Sequence, residues 1–343
     1  MAGRPTIQDV AQAAGVSVAT VDRVLNGRLR VREETARKVS EAANRVGYHA
    51  RHLIEQRLRL DLPEVRLGFV LQKEKQAFYQ SLQRYVEAAV SAATGVRATS
   101  VIEFSISQSP SEVSELFRSM AGRVDVVAGL AVNHNAITDA VLDLKAAGIP
   151  TISLLSDFAQ GERMTYLGTN NLRVGRLAAW MLAATSAKPA KIALFVGGHR
   201  WHGHELRETG FRSFFREYHP QIELLDTLVN LETRQLTYEA TLDLIARHPD
   251  VTGIYLAGGG MEGALQALRE ERQPGQISLV VNELTPETRA GLSDRYLTMV
   301  LATPLQTLCQ NLITLMADTA LDRAENAPGQ IFLDPVIYLP ESV

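Results

Sequence analysis

Residues 6–27 read TIQDVAQAAGVSVATVDRVLNG, and their caps and spacing decide the fold of the N-terminal region. Thr6 can cap a helix through its hydroxyl, while Gln8 and Asp9 bring polar and acidic groups to the unpaired amides of the first turn. Ile7, Val10, Ala11 and Ala14 recur at three- and four-residue spacing and so share one face. Gly15 ends that helix. Ser17 is a second N-cap, opening a helix through Leu25, and Asn26 and Gly27 are residue types that tolerate a left-handed helix end. A third helix is expected over about Glu33 to Val46, with Val39, Ala42, Ala43 and Val46 closing a small core before Gly47 stops it. Two short helices joined by a tight glycine turn predict a helix-turn-helix. In that motif the second helix enters the major groove of DNA, with hydroxyls and amides at its start on phosphates. Ser17 and Thr20 suit the clamp. Arg23 can offer a bidentate fork to guanine, worth ~1–3 kcal/mol of discrimination.

The charge distribution agrees with a polyanion-facing head. The chain of 343 residues has net charge -3, yet residues 1–60 hold eleven Arg and Lys against six acids, an excess of +5 that leaves -8 for the rest. A basic head on an acidic body restricts nucleic-acid contact to the head. The length suits two or three domains, and 46% apolar with 21% charged residues suits globular ones. No apolar run approaches a membrane span, and MAGRPTIQDVAQAAG lacks the apolar core of a signal peptide, so a soluble, cytoplasmic protein is expected. The single cysteine, Cys309, excludes an internal disulfide framework, and its setting, LQTLCQNLITLM, reads as a core helix.

The stretch TIQDVAQAAGVSVATVDRVLNG resembles the DNA-binding head of the lactose-repressor (LacI/GalR) family, whose pattern is roughly T-x-x-D-V-A-x-x-A-G-V-S-x-x-T-V-S-R-V-L-N. The resemblance implies that Ser17, Thr20, Asn26 and Thr35 lie along the DNA backbone and that Val18, Ala19 and Arg23 face base edges. Thr6, Arg28 and Arg32 complete the candidate head contacts. Val18 and Ala19 can pack only on thymine methyls. Asp22 stands where the family has Ser. It can pair with Arg23 or another basic neighbour and orient it, accept from cytosine N4, or stand exposed without a role.

After Tyr48 the basic, helix-capable HARHLIEQRLRLDLP reads as a hinge and linker over 49–63, ending at Pro63. In the resembled family this stretch drives a leucine pair into the minor groove. Here Arg57 occupies the leucine's place and Leu58 falls one residue late. Either Leu58 is the wedge, or Arg57 enters a narrow groove electrostatically, or the segment is an ordinary amphipathic linker.

From Val65 onward, apolar runs such as VRLGFVLQ, PTISLL, TYLGTN, KIALFVG and ISLVVNE alternate with amphipathic stretches such as FYQSLQRYVEAAVSAAT and ETGFRSFFREYH. Strand-helix alternation argues for parallel sheets covered by helices, with ligands beyond the strand C-termini. Residues 64–343 resemble the periplasmic sugar-binding-protein fold that follows the head in the same family. The landmarks are FYQSLQRYVEAA, YLGTNNLRVGRLAA, HELRETGF and SLVVNEL. The expected architecture is thus an N-terminal all-α helix-turn-helix head (1–48) plus an α/β two-lobed periplasmic-binding-protein-like body with parallel sheets. By that pattern lobe 1 takes about 64–163 plus 294–325 and lobe 2 about 164–293 plus 326–343, with three crossings.

The same pattern implies that Phe78 and Tyr79 wall the cleft, Arg207 donates to ligand hydroxyls or a carboxylate, and Glu283 replaces a family Asp with a longer reach. Asn170 replaces the Asp of a D-N pair. Asp157, just after the strand ISLLS, is a further acceptor candidate or a turn cap. GGHRWHGHE gathers His199, His202, His204 and Glu205, but the spacing is no standard zinc signature; His202 is taken as a ligand contact, with an incidental loop as the alternative. AGGGMEGA follows a strand and opens a helix as a phosphate loop would, yet it lacks Lys-Ser/Thr and reads as a cleft-lining turn. No catalytic arrangement can be singled out, and neither cofactor nor metal is expected. The expected protein is a DNA-binding regulator, a homodimer on a pseudo-palindromic double-stranded operator, with a carbohydrate-like small-molecule effector and no membrane partner. A free solute sensor or sugar-acting enzyme is the alternative.

Overall fold

The computed structural model describes residues 4–26, 31–54, 62–323 and 329–343. Residues Met1–Val65 with Ala93–Thr99 form one compact unit, and Arg66–Ala92 with Ser100–Val343 form another. In the first unit, α1 spans Ile7–Ala14 and opens with a reciprocal capping box: Thr6 N donates to Asp9 Oδ2 at 2.6 Å, and Asp9 N donates to Thr6 Oγ1 at 3.4 Å. Gly15 closes it in the left-handed region at φ 67. The second helix, α2, spans Val18–Asn26, and Ser17 Oγ accepts from Thr20 N at 3.2 Å as its cap. The third, α3, spans Glu33–Val46 and ends on Gly47. Val10, Val21, Val24, Val39, Ala42 and Ala43 are buried together, and Val46 packs half-buried against them.

Tyr48 and Ile54 belong to the same core, Ile54 with no exposed surface. Burying an isoleucine side chain is worth ~1.5–3 kcal/mol, so the start of the expected 49–63 linker is anchored to the head. Arg28, Arg57 and Leu58 lie outside the described residues.

The second unit runs β1 (Glu64–Gln72), α4 (Ala77–Ser91), β2 (Arg97–Ser105), α5 (Pro110–Ser119), β3 (Val126–Gly129), α6 (Asn135–Ala146), β4 (Thr151–Leu154) and β5 (Thr165–Thr169). It continues through α7 (Asn171–Thr185), β6 (Lys191–Val196), α8 (His202–Tyr218), β7 (Glu223–Leu224), β8 (Leu228–Val229), α9 (Arg234–Arg247), β9 (Gly253–Leu256), α10 (Met261–Glu271) and β10 (Ser278–Asn282). It closes with α11 (Pro286–Ser293), β11 (Met299–Ala302), α12 (Leu305–Ala320), β12 (Gln330–Leu333), β13 (Val336–Tyr338) and a 3-10 turn at Pro340–Ser342.

Among the described residues these strands make two sheets, ordered β12-β5-β4-β3-β1-β2 and β13-β11-β10-β9-β6-β7, with β8 also on β6. The pairing is parallel along both sheets except where β13 runs antiparallel to β11. The second sheet is apolar on both faces. Leu194 and Val196 of β6 join α7 and α8, whereas Ala193 and Phe195 join α9, α10 and α11. That alternation is what a strand covered on two sides requires.

The strands place the lobe divisions later than the expected 163/164, 293/294 and 325/326. Each expected division comes one strand early: β5 and β12 pair in the first sheet, and β11 pairs in the second. Each connecting segment still carries a strand bonded to the sheet it is about to leave: β5 to β4 and β12, β11 to β10 and β13, and β12 to β5. Among the described residues no helix is long and apolar enough to cross a membrane.

Candidate functional site

On α2 the exposed side combines the apolar Val18 and Ala19 with Arg23 and Asn26. Val18 is 42% exposed, Ala19 and Arg23 are exposed, and Ser17 Oγ lies 2.9 Å from Thr20 Oγ1. Val21 and Val24 face inward, so helical phase sorts this stretch into core and contact faces. Asp22 takes neither Arg23 nor another cation among the described residues. Its Oδ1 accepts from Asn26 Nδ2 at 2.6 Å, one turn on. The pairing with Arg23 or another basic neighbour expected of Asp22 is thus replaced by a bond with Asn26, a residue that the resemblance sets on the DNA backbone. Thr6 is engaged in the cap of α1. Arg32 precedes α3 with its side chain exposed and making no cap bond, and Thr35 is half-buried.

In the second unit a cavity of about 100 Å³ lies between the lobes at the strand C-termini. Lys73, Leu155, Glu232 and Glu283, at or just beyond the ends of β1, β4, β8 and β10, all have positive φ (44, 60, 53 and 70). Non-glycine residues in this region are strained and concentrate at functional sites. Phe78 and Tyr79, at the start of α4, wall one side, with ring centroids 5.2 Å apart and planes at 80°. Trp201 borders the other.

Arg207 lines the cavity at 8% exposure. Its Nε donates to Asn171 Oδ1 at 2.7 Å and its Nη1 to the Ala257 carbonyl at 2.6 Å. This placement depends on two glycines at the α7–α8 crossing. A Cβ on Gly175 would lie 1.9 Å from the Arg207 carbonyl oxygen, and one on Gly210 would lie 2.1 Å from that of Leu172. Glu283 also lines the cavity, held by Thr303 N at 2.9 Å and Thr303 Oγ1 at 2.7 Å. Burial raises its carboxyl above the ordinary range, against the bonds from Thr303.

Two expected contacts are elsewhere. Asp157 is buried in a separate cluster, where Arg163 Nε donates to Oδ1 at 2.5 Å, Arg163 Nη2 to Oδ2 at 2.6 Å, and Ser153 Oγ to Oδ1 at 2.6 Å. Burial works against its ionisation, but Arg163 and Ser153 outweigh that and its carboxyl sits below the usual range. Asp157 therefore fastens the β4–β5 connection instead of reaching ligand. His202 does not line the cavity, and its Nδ1 sits 3.4 Å from Glu205 Oε2. The start of α8 at His202 sets the helical phase that turns His204 and Arg207 inward. His199, His202, His204 and Glu205 do not converge.

Glu232 is the residue that sequence reasoning missed. It sits after β8 and accepts from Lys73 Nζ at 3.1 Å, Gln108 Nε2 at 3.0 Å and Gly259 N at 3.2 Å, with His204 Nε2 at 3.5 Å. Lys73 and Gln108 belong to the first lobe, so Glu232 ties the lobes together. Asn133 N donating to the Arg200 carbonyl and Gly203 N donating to Ser156 Oγ add further bonds between them. Burial opposes ionisation of Glu232, but His204, Lys73 and Gln108 bring its carboxyl down to about 2. Burial likewise pushes the His204 imidazole down to about 4, against the pull of Glu232. Its Nδ1 accepts from Gly197 N at 3.2 Å, which leaves the proton on Nε2, facing Glu232.

The AGGGMEGA turn now has a reason. A Cβ on Gly258 would sit 2.6 Å from His204 Cε1, one on Gly260, at φ 93, would sit 2.1 Å from Thr237 Oγ1, and the Gly259 amide serves a protein carboxylate rather than a phosphate.

A model of bacterial regulatory proteins of the lacI family matches residues 6–50, and one of a periplasmic binding protein domain matches residues 67–323. The chain is 28% identical over 285 residues to the HTH-type transcriptional regulator GntR of Pseudomonas aeruginosa, covering 81% of this chain and 79% of that protein. It is 26% identical to the HTH-type transcriptional regulator GalS of Salmonella typhimurium, covering 77% and 75%. Among solved structures, a periplasmic solute-binding protein of Actinobacillus succinogenes with bound D-allose aligns with TM-score 0.74 at 19% identity, over 81% of this chain and 98% of that one. One of Agrobacterium vitis bound with alpha-D-tagatopyranose aligns with TM-score 0.74 at 18% identity, over 81% and 95%. At such identity the two structures speak to the fold of the body.

Proposed function

Because the chain belongs to the lacI family of bacterial regulatory proteins, with a periplasmic-binding-protein domain as its body, we propose that it is a sequence-specific transcriptional repressor controlled by a small polar effector. The effector, a sugar, polyol or sugar acid, occupies the cavity between the lobes. One observation carries this reading: a single chain joins an exposed helix-turn-helix face to an interlobe cavity with aromatic walls and a buried arginine. The relatives named as transcriptional regulators support the first half, and the solved proteins with bound D-allose and tagatose support the second. We read the protein as a non-enzyme that works on DNA in the cytoplasm. Two copies would read the halves of a pseudo-palindromic operator, since one head spans a half-site. Effector binding would reset lobe closure, held without ligand by the bonds on Glu232, and so change operator affinity.

Titrating genomic operator fragments at moderate salt tests the reading. One site is expected to bind at least about 10³-fold more tightly than random duplex, and equal affinity for both would sink it.

Asp22 supplies a local prediction. Its bond to Asn26 lies on a solvated helix face and is worth only ~0.3–0.5 kcal/mol. Asp22→Ser releases Asn26 and removes a negative charge from a face turned to phosphates. Binding at low salt should rise severalfold on operator and random duplex alike, as measured by fluorescence anisotropy. A selective loss of discrimination would instead assign Asp22 to Arg23 or to a base.

A further inference from the structure

The cavity holds a carboxylate that no other described residue bonds. Glu262, in the first turn of α10, lines it half-buried and makes no hydrogen bond or ion pair with another residue among the described ones. Burial raises its carboxyl and nearby Glu287 adds to the effect, against the pull of Arg234 and Lys73.

The cations near the cavity are committed. Lys73 is engaged by Glu232, two of the three Arg207 nitrogens serve Asn171 and Ala257, Arg234 Nη2 donates to Gln266 Oε1 at 2.9 Å, and the His204 ring is neutral at pH 7. Glu232, Glu262, Glu283 and Glu287 are set against Lys73, Arg207 and Arg234, so acids outnumber cations by one here, and among the described residues no cation is hydrogen-bonded to Glu262. An incoming anion would meet that excess charge where solvent screening is weak. A hydroxyl-rich ligand would instead give the free carboxylate the charge-assisted bonds it lacks.

We infer that the effector is a polyhydroxylated molecule without an anionic group, and that Glu262 is the specificity residue that accepts its hydroxyls and rejects the matching sugar acids. This rests on the cavity being the effector site. It narrows the three proposed ligand classes to uncharged ones.

The test uses the full chain at pH near 8. Thermal shifts are recorded with aldohexoses, hexitols and inositols, and with the corresponding aldonates and uronates, each at about 10 mM so that millimolar binders register. At least one uncharged compound should stabilise the protein while its acid counterpart does not. Stabilisation by an acid beyond its uncharged counterpart overturns the inference and leaves the repressor reading intact. Stabilisation by none of them also overturns it, and operator titration then judges the repressor reading on its own. By titration calorimetry, Glu262→Gln should weaken the uncharged ligand by about tenfold and lessen the bias against the acid. Wild-type affinity in that variant, with its ligand-free melting temperature unchanged, would overturn the role of Glu262. The comparison between uncharged and acidic ligands needs no variant, so it stands even if Glu262→Gln folds poorly.

Discussion

Gly210→Ala should lower the melting temperature of the body by roughly 6–10 °C, an effect on the order of 3 kcal/mol from a single methyl group. The methyl carbon would sit 2.1 Å from the Leu172 carbonyl oxygen and 3.0 Å from its carbon. Backbone cannot swing aside as a side-chain tip can, so α7 and α8 must separate. Separation opens the layer in which Val174, Ala178 and Leu182 meet Phe211, Phe214 and Phe215. The same crossing sets the position of Arg207, one helical turn before Gly210, whose Nε bonds Asn171 at the head of α7. Gly210→Ala should therefore also shrink the thermal shift that effector produces. Differential scanning calorimetry with and without ligand measures both effects. A variant melting within about 2 °C of the parent would mean that the helices are not held at this distance.

The second large effect concerns acid. The folded-state pKa of His204 is depressed to about 4 from an ordinary 6.5, so the unfolded chain takes up this proton first. The stabilisation from a neutral, buried His204 is then complete above pH 6.5 and is lost as pH falls through 6.5 toward 4. Glu232 behaves separately: with its carboxyl near 2 in place of 4.5, its contribution holds above pH 4.5 and fades only below it. Between pH 6.5 and 4.5 the loss belongs to His204, on the order of 2–3 kcal/mol at 1.36 kcal/mol per pKa unit. His204→Gln keeps an acceptor for the Gly197 amide and removes the titration. Urea unfolding at pH 7.5, 6.5, 5.5 and 4.5 should therefore give a flatter stability profile for the variant than for the parent. Parallel profiles would refute the assignment. Because His204 borders the carboxylate that ties the lobes, acid should also loosen lobe closure.

The features legible from sequence share one property: their physical cause lies within about one helical turn. The Thr6 and Ser17 caps, the Gly15 and Gly47 stops, and the burial of Val39, Ala42 and Ala43 all follow from neighbours three or four residues away. Phe78, Tyr79, Arg207 and Glu283 line the cavity, because family-like landmarks locate strand ends and helix starts. His202 was one half-turn from the mark. The start of α8, set by Trp201 packing as its N-cap, gives His204 the inward place. Asp157 stands at a strand end, as a ligand acceptor would, but Arg163 claims it from the same connection.

The sequence alone determined a helix-turn-helix head, a basic bias confined to it, and a body of alternating strands and helices, since caps, charge and period are local quantities. Tertiary structure alone decided which sheet receives β5, β11 and β12, where Lys73 meets Glu232 across 159 residues, and why three consecutive glycines follow β9. Each of these depends on pairing between separate segments, as far apart as β12 and β5 or Lys73 and Glu232, and no periodicity within either segment encodes its partner.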